Sequence, residues 1–279
     1  MKPFVQKLPK QEFKSFVSVT FSTPLFETPW HRHLENEILY IKKGYGTAII
    51  GDFVGEFSEG DLFYIGSNVP HWFRKANEDL FCTVVVIQFD KSIFGNSFLN
   101  IPELAQIKKL INLKQALSVN YELDTSLIEK IKGLEDAEGF DHMSRLLAIL
   151  NSISIKTKNS ILTHEHINSF DSKGIIDEIM EYTFNHFQEN IKLEDIAGLA
   201  KMSESNFRRF FKLNTKKSFS KFLKEIRIAH ACKLLKDKNL FVSQIFHDCG
   251  YRNITNFNRQ FKEIKGITPS AYRAQVLND

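Results

Sequence analysis

The chain has 279 residues, of which 43% are hydrophobic and 25% charged, with a net charge of +4. That is about twice the usual domain length, so two domains are expected, and the ordinary composition excludes disordered, collagen-like and low-complexity classes. No run approaches ~18 consecutive apolar residues. The opening MKPFVQKLPKQEFKS has no apolar stretch of the signal-peptide kind, and Cys82, Cys232 and Cys249 suit neither a disulfide framework nor a metal knuckle. A cytoplasmic protein without a membrane partner is therefore expected.

From residue 16 to residue 89 the chain reads as short strands. Runs 16–21, 37–41, 47–50, 61–65 and 82–89 are rich in β-branched and aromatic residues. Gly44, Gly46, Gly51, Gly55, Gly60 and Gly66 punctuate them at turn-like spacing. Short strands with no helices between them predict an antiparallel sandwich or barrel.

After Pro102 the period changes. Leu104, Ile107 and Ile111, then Met143, Leu146, Leu147, Leu150 and Ile153, recur at helical spacing. These stripes can cover a face of the barrel, form a dimer seam, or do both. Residues 156–172 are polar and aperiodic, as a linker would be. The His164-Glu165-His166 triplet within that stretch reads as a solvated loop rather than a metal site.

The C-terminal third is basic and repeats itself. Residues 173–279 hold 19 Lys/Arg against 12 Asp/Glu, leaving 18 against 21 in the remainder. Such a basic segment suits an anionic partner. At an offset of 50, the stretches 203–222 and 253–272 share six of 20 residues, among them Phe207/Phe257, Arg209/Arg259 and Lys212/Lys262. A duplicated module is expected. In each copy a short apolar helix, a tight turn and a capped second helix give helix-turn-helix grammar, with Ser203 and Asn253 as the caps. On the second helices Phe207, Phe210 and Phe211, and Phe257, Phe261 and Ile264, fall on the side to be buried. The other side carries Ser205, Arg208, Arg209 and Lys212 in the first copy. In the second it carries Thr255, Asn258, Arg259 and Lys262, with Asn253 at the cap. These residue types are the ones that read base edges and grip phosphates in double-stranded DNA.

The segments Gln244-Ile245, Cys249-Gly250-Tyr251, Asn256-Phe257-Asn258-Arg259-Gln260-Phe261-Lys262, Gly266-Ile267-Thr268-Pro269 and Tyr272-Arg273 resemble the signature of AraC/XylS-type transcription regulators. The resemblance implies two helix-turn-helix subdomains joined by a long helix, for which 218–235 is suited. Their recognition helices would enter successive major grooves ~34 Å apart. Lys201 and Lys216 stand where that pattern often has glycine, and Phe246 where it has a small residue.

In the N-terminal half, His31-x-His33-x3-Glu37-x6-Gly44, then Gly60-Asp61 and Pro70-His71, resemble the two motifs of the cupin superfamily, with Gly66 in place of a proline in the second. A small barrel around a cavity is implied. No metal is expected. If one is bound, the matching residues His31, His33, Glu37 and His71 would hold it, a set suited to a first-row divalent ion. The three odd-numbered residues His31, His33 and Glu37 face one way if their strand is continuous. Those four with Trp30, Tyr40, Phe63 and Trp72 are the expected effector pocket.

The expected architecture is α+β. It comprises a cupin-like sensing barrel over 1–100, helices for dimerisation over 101–155, the linker over 156–172, and the double helix-turn-helix domain over 173–279. The expected function is a non-enzymatic, homodimeric transcription regulator of promoter DNA. Its effector would be a small molecule, with a sugar implied by the family, and RNA polymerase would be a further partner. Two alternatives are a metal-dependent cupin enzyme with a DNA-binding tail, and a DNA-binding protein whose barrel is only a scaffold.

Overall fold

A computed structural model describes residues 4–5, 14–22, 30–76, 79–95, 97–120, 125–155, 159–164 and 175–278. The strands are β1 (Phe4–Val5), β2 (Val17–Ser22), β3 (His31–Arg32), β4 (Asn36–Lys43), β5 (Gly46–Ile50), β6 (Phe53–Phe57), β7 (Leu62–Ile65), β8 (His71–Lys75), β9 (Thr83–Phe89), β10 (Ala116–Ser118) and β11 (Ser160–Ile161). The helices are α1 (Ala105–Ile111), α2 (Thr125–Lys132), α3 (Gly139–Ser154), α4 (Ile175–His186), α5 (Leu193–Leu199), α6 (Glu204–Thr215), α7 (Phe219–Leu235), α8 (Val242–Asp248), α9 (Ile254–Lys265) and α10 (Pro269–Asn278). The fold is α+β, with a β-rich N-terminal half and a helical C-terminal third. Most of the expected linker, including Glu165 and His166, lies outside the described residues. No described helix is long and apolar enough to cross a membrane. Two compact units result. One holds the C-terminal helices with the β5–β6 stretch Gly46–Glu56, and the other holds the remaining strands with α1–α3.

The β-rich unit is built on a six-stranded sheet in the order β11-β10-β7-β4-β9-β2. Its centre, β4, pairs antiparallel with β7 and β9, so Ile38 lies opposite both Tyr64 and Ile87. Side chains alternate between faces along these strands. One face presents Ile38, Tyr40, Tyr64, Val85 and Ile87, which share a core with Leu127, Ile131, Leu146, Ile149, Leu150 and Ile153 of α2 and α3. The apolar stripes after Pro102 therefore cover the sheet. Each such aliphatic side chain contributes about 1.5–3 kcal/mol on burial. The opposite face carries Glu37, Leu39, Phe63, Ile65 and Gln88. A smaller sheet, in which β1, β3 and β8 are neighbours in that order, brings His31 opposite His71.

In the helical unit the repeat is structural. Ser203 accepts from the backbone N–H of Asn206 at the start of α6, and Asn253 accepts from Thr255 and Asn256 at the start of α9. The turn before each helix closes the same way: Met202 N–H donates to Ala197 and Tyr251 N–H to Phe246. Lys201 and Gly250 both take positive φ there, 53° and 76°. At the far ends Lys216 and Gly266 are both left-handed, at 58° and 77°. Ser218 and Thr268 then cap α7 and α10. The long helix α7 has 17 residues, ~25 Å at 1.5 Å per residue. It is buried on two faces. Phe219 and Phe222 meet the phenylalanines of α6, whereas Ile228, Ala231, Cys232 and Leu235 join the core of the second module. Both modules thus hang on one rigid rod.

Candidate functional site

The helices α6 and α9 are two-faced. Phe207 and Phe211, and Phe257 and Phe261, are fully buried. Ser205, Arg208, Arg209 and Lys212, and Thr255, Asn258, Arg259 and Lys262, are all exposed. The guanidinium side chains of Arg208 and Arg259 are each 67% exposed. Arg208 lies 3.4 Å from Glu204, one turn back on α6. Arg259 donates to Asn256 Oδ1 at 2.8 Å and lies 3.9 Å from Glu263. Glu263 is itself bonded by Lys224 of α7 at 2.7 Å, and that bond holds its carboxyl below the usual carboxylate range. An acidic neighbour therefore stands beside each of these arginines without neutralising the face. Asn253 is exposed, but its side-chain oxygen is committed to the cap.

A second constellation lies inside the β-rich unit. One ring nitrogen from each of His31, His33 and His71 lies within 4.8 Å of the others, and all three residues are buried. Glu37 completes the group, 3.1 Å from His33 Nε2 and 3.6 Å from His71 Nε2. Gln88, directly opposite Glu37 on β9, donates its amide to Glu37 Oε2 at 2.8 Å.

Hydrogen bonding sets the protonation states. Val69 and Glu35 carbonyls only accept, so His71 Nδ1 and His33 Nδ1 each donate to them, at 2.9 and 3.0 Å. His33 must also donate through Nε2 to Glu37. Burial disfavours its charge, but the Glu37 bond outweighs burial and raises its pKa. Burial likewise opposes ionisation of Glu37, yet His71, His33 and Gln88 together hold its carboxyl at about 2. His71 is pushed the other way, lowered chiefly by burial, so it is neutral near pH 7 and its Nε2 carries a bare lone pair. Among the described residues that nitrogen has no hydrogen-bond partner. A buried acceptor without a donor costs about 1–3 kcal/mol. His71 Nε2 and Glu37 Oε1 together form an acceptor pair that a hydroxyl donor would satisfy.

Comparison with known proteins agrees with both halves. Residues 196–275 match the helix-turn-helix domain family, and residues 22–87 match the cupin domain family. The HTH-type transcriptional activators RhaR and RhaS of Mannheimia succiniciproducens are 22% and 24% identical over 251 residues. Those alignments cover 89% and 88% of this chain, and 88% and 89% of the relatives. The chain belongs to the AraC/XylS family of transcription regulators. The solved structure of ToxT from Vibrio cholerae O395 is 17% identical, with a TM-score of 0.39, and aligns over 94% of this chain and 98% of that one. As a member of this family the protein is a DNA-binding transcription regulator with a cupin-like domain.

Within this AraC/XylS chain the structure modifies several expectations for individual residues. His31, His33 and Glu37 do not share a continuous strand. β3 and β4 are separate and belong to different sheets, with a bend at 34–35 between them, and the group converges because the sheets face each other. Tyr40 does not line the group, since alternation puts it on the helix-covered face, under Lys132 at 6.0 Å. Trp72 is turned away from its neighbour His71 and shares a side with Arg74, whose guanidinium lies 5.8 Å over its ring. Phe63 is on the histidine side, stacked edge-on to Phe73 at 5.3 Å, and Trp30 is buried. Gln88 was not expected. A glutamine inside an apolar strand matches no motif, and its only signal is being the one polar residue in Val84–Phe89.

Proposed function

We propose that the β-rich half senses a hydroxyl-bearing small molecule, a sugar being the class the family resemblance implies, and that the C-terminal third passes the response to promoter DNA. The observation that supports the sensing site best is the buried acceptor pair formed by His71 Nε2 and Glu37 Oε1. His31 and His33 flank it, and Phe73, 6.4 Å from His71, with Phe63 packed edge-on behind it, supplies the aromatic side. The face formed by Ser205, Arg208, Arg209, Lys212, Thr255, Asn258, Arg259 and Lys262 would contact DNA. In this reading residues 1–100 sense, 101–155 dimerise, 156–172 link and 173–279 bind DNA. The relatives named as transcriptional activators support a non-enzymatic activator; in this reading it works in the cytoplasm as a homodimer, with RNA polymerase as a further partner.

A second reading has a specific observation behind it. Three imidazoles and a carboxylate are a donor set that fits a first-row divalent cation, and the unpartnered His71 nitrogen is a free ligand atom. His31, His33, His71 and Glu37 would then hold the ion, which would supply Lewis acidity at that place. The proton His33 shares with Glu37 weighs against it, because a metal must displace that proton.

Thermal unfolding of the full chain against a panel of sugars, and separately against Zn2+ and Mn2+, tests the two. A ligand at a hundredfold excess over its dissociation constant stabilises by ~2.7 kcal/mol. A sugar should raise the melting temperature of the wild type and not that of His71→Ala. A shift with metal alone would replace the sensing reading with the metal one. No shift from any sugar or metal would leave the β-rich half as a scaffold.

A further inference from the structure

A cluster of contacts around the middle of α7 ties the two helix-turn-helix modules together, apart from the outward faces that meet DNA. Arg227, midway along α7, donates from Nε to the Phe187 carbonyl at 2.8 Å and from Nη2 to the Glu189 carbonyl at 2.7 Å. Both carbonyls belong to the segment that leaves α4 and feeds the first module. The same guanidinium lies 5.6 Å over the ring of Tyr251, in the tight turn of the second module. Gln188 reaches that turn too, donating to the Asp248 carbonyl at 2.8 Å. Gly250 closes the approach. A Cβ there would stand 2.7 Å from the Phe187 carbonyl oxygen and 2.8 Å from that of Gln188. The ring of Phe187 also packs edge-on to His230 of α7 at 4.9 Å.

We propose that this joint fixes the distance and phase between α6 and α9, and that Arg227 is a positioning residue for DNA recognition through it. The inference rests on the reading that both helices enter DNA. The physics is that of a fork. A guanidinium offers several donors in a rigid plane, so bonds to the carbonyls of Phe187 and Glu189 leave one orientation, whereas a lysine ammonium is a point donor on a flexible stem. With its flat face covered by Tyr251, Arg227 joins the entry of the first module to the turn that launches α9. Two recognition helices held rigidly must meet two base segments at one spacing. Each added base pair displaces the second segment by ~3.4 Å along the axis and rotates it by about a tenth of a turn.

The test selects a duplex from random sequence with the full wild-type chain. One and two base pairs are then inserted between the two protected segments. The wild type should lose about tenfold or more in affinity per insertion, the loss expected when one helix gives up its base contacts. Arg227→Leu should bind the original duplex more weakly and show a spacing penalty under about threefold, with Arg227→Lys restoring part of the penalty. Arg209→Ala, which removes a base contact and leaves the joint intact, should weaken binding at every spacing and keep the wild-type penalty. An Arg227→Leu protein that keeps the full penalty overturns the inference, as does a wild type indifferent to spacing. Should Arg227→Leu fail to fold, Gln188→Ala gives the same readout through the other tether. Failure of the wild type to select any duplex defeats the DNA reading itself, a result distinct from a lost spacing effect.

Discussion

Arg209 and Arg259 occupy equivalent positions of the repeat, yet their surroundings differ. Arg259 donates to Asn256 and faces Glu263, while the residue matching Glu263 in the first copy is Leu213, which is 58% exposed. Arg259 is thus oriented before binding, and less side-chain freedom remains to be lost on contact. Replacing either arginine by alanine should weaken specific binding by about 1–3 kcal/mol and relax preference at one base pair. Titration against the selected duplex and its single-base variants measures both effects. Unchanged affinity and unchanged preference in both variants would remove α6 and α9 from the interface.

At the scale of elements, the two modules end their recognition helices alike with different residues. Gly266 takes the left-handed cap at no steric cost, whereas Lys216 takes it at φ 58° with a Cβ. A side chain in that region costs about 1–2 kcal/mol, and glycine returns about 0.4–1 kcal/mol of that through the freer unfolded chain. Lys216→Gly should therefore stabilise the helical unit by a net of about 0.5–1 kcal/mol. Urea unfolding followed by helix ellipticity reads this, and an unchanged or lower midpoint contradicts it. The left-handed lysines are legible in sequence only because the repeat aligns them with glycines. The repeat also made the helices legible, since its apolar period and caps are local signals. The β-rich half was less so. β8 reads His-Trp-Phe-Arg-Lys and β6 has a glycine at its centre, so neither shows clean alternation. The histidine group was found by motif, but its convergence comes from two sheets facing each other, which no local pattern records. Tyr40 and Trp72 lie on other faces for a related reason: being aromatic does not say which face of a strand a residue occupies.

Taken whole, the molecule carries its charge unevenly, and this shapes how it meets DNA. The 19 basic against 12 acidic residues of the C-terminal third oppose a mildly acidic remainder, so attraction to a polyanion is confined to one part of the chain. At 0.1 M salt the field reaches only ~10 Å, which gives weight to cations already on α6 and α9. Five such cations are exposed: Arg208, Arg209, Lys212, Arg259 and Lys262. Arginines suit guanine edges, while lysines suit phosphates as point charges. Each phosphate neutralised adds about −0.9 to the slope of log K against log salt. Lys212→Ala with Lys262→Ala should therefore lower the slope by about 2 and weaken all duplexes alike, with base preference kept. Arg259→Ala should do the reverse, altering preference more than slope. Binding isotherms from 50 to 200 mM salt on the selected duplex and on a scrambled one separate the two effects. A slope unchanged in the double lysine variant would move the phosphate contacts off these helices and onto other basic residues of the C-terminal third.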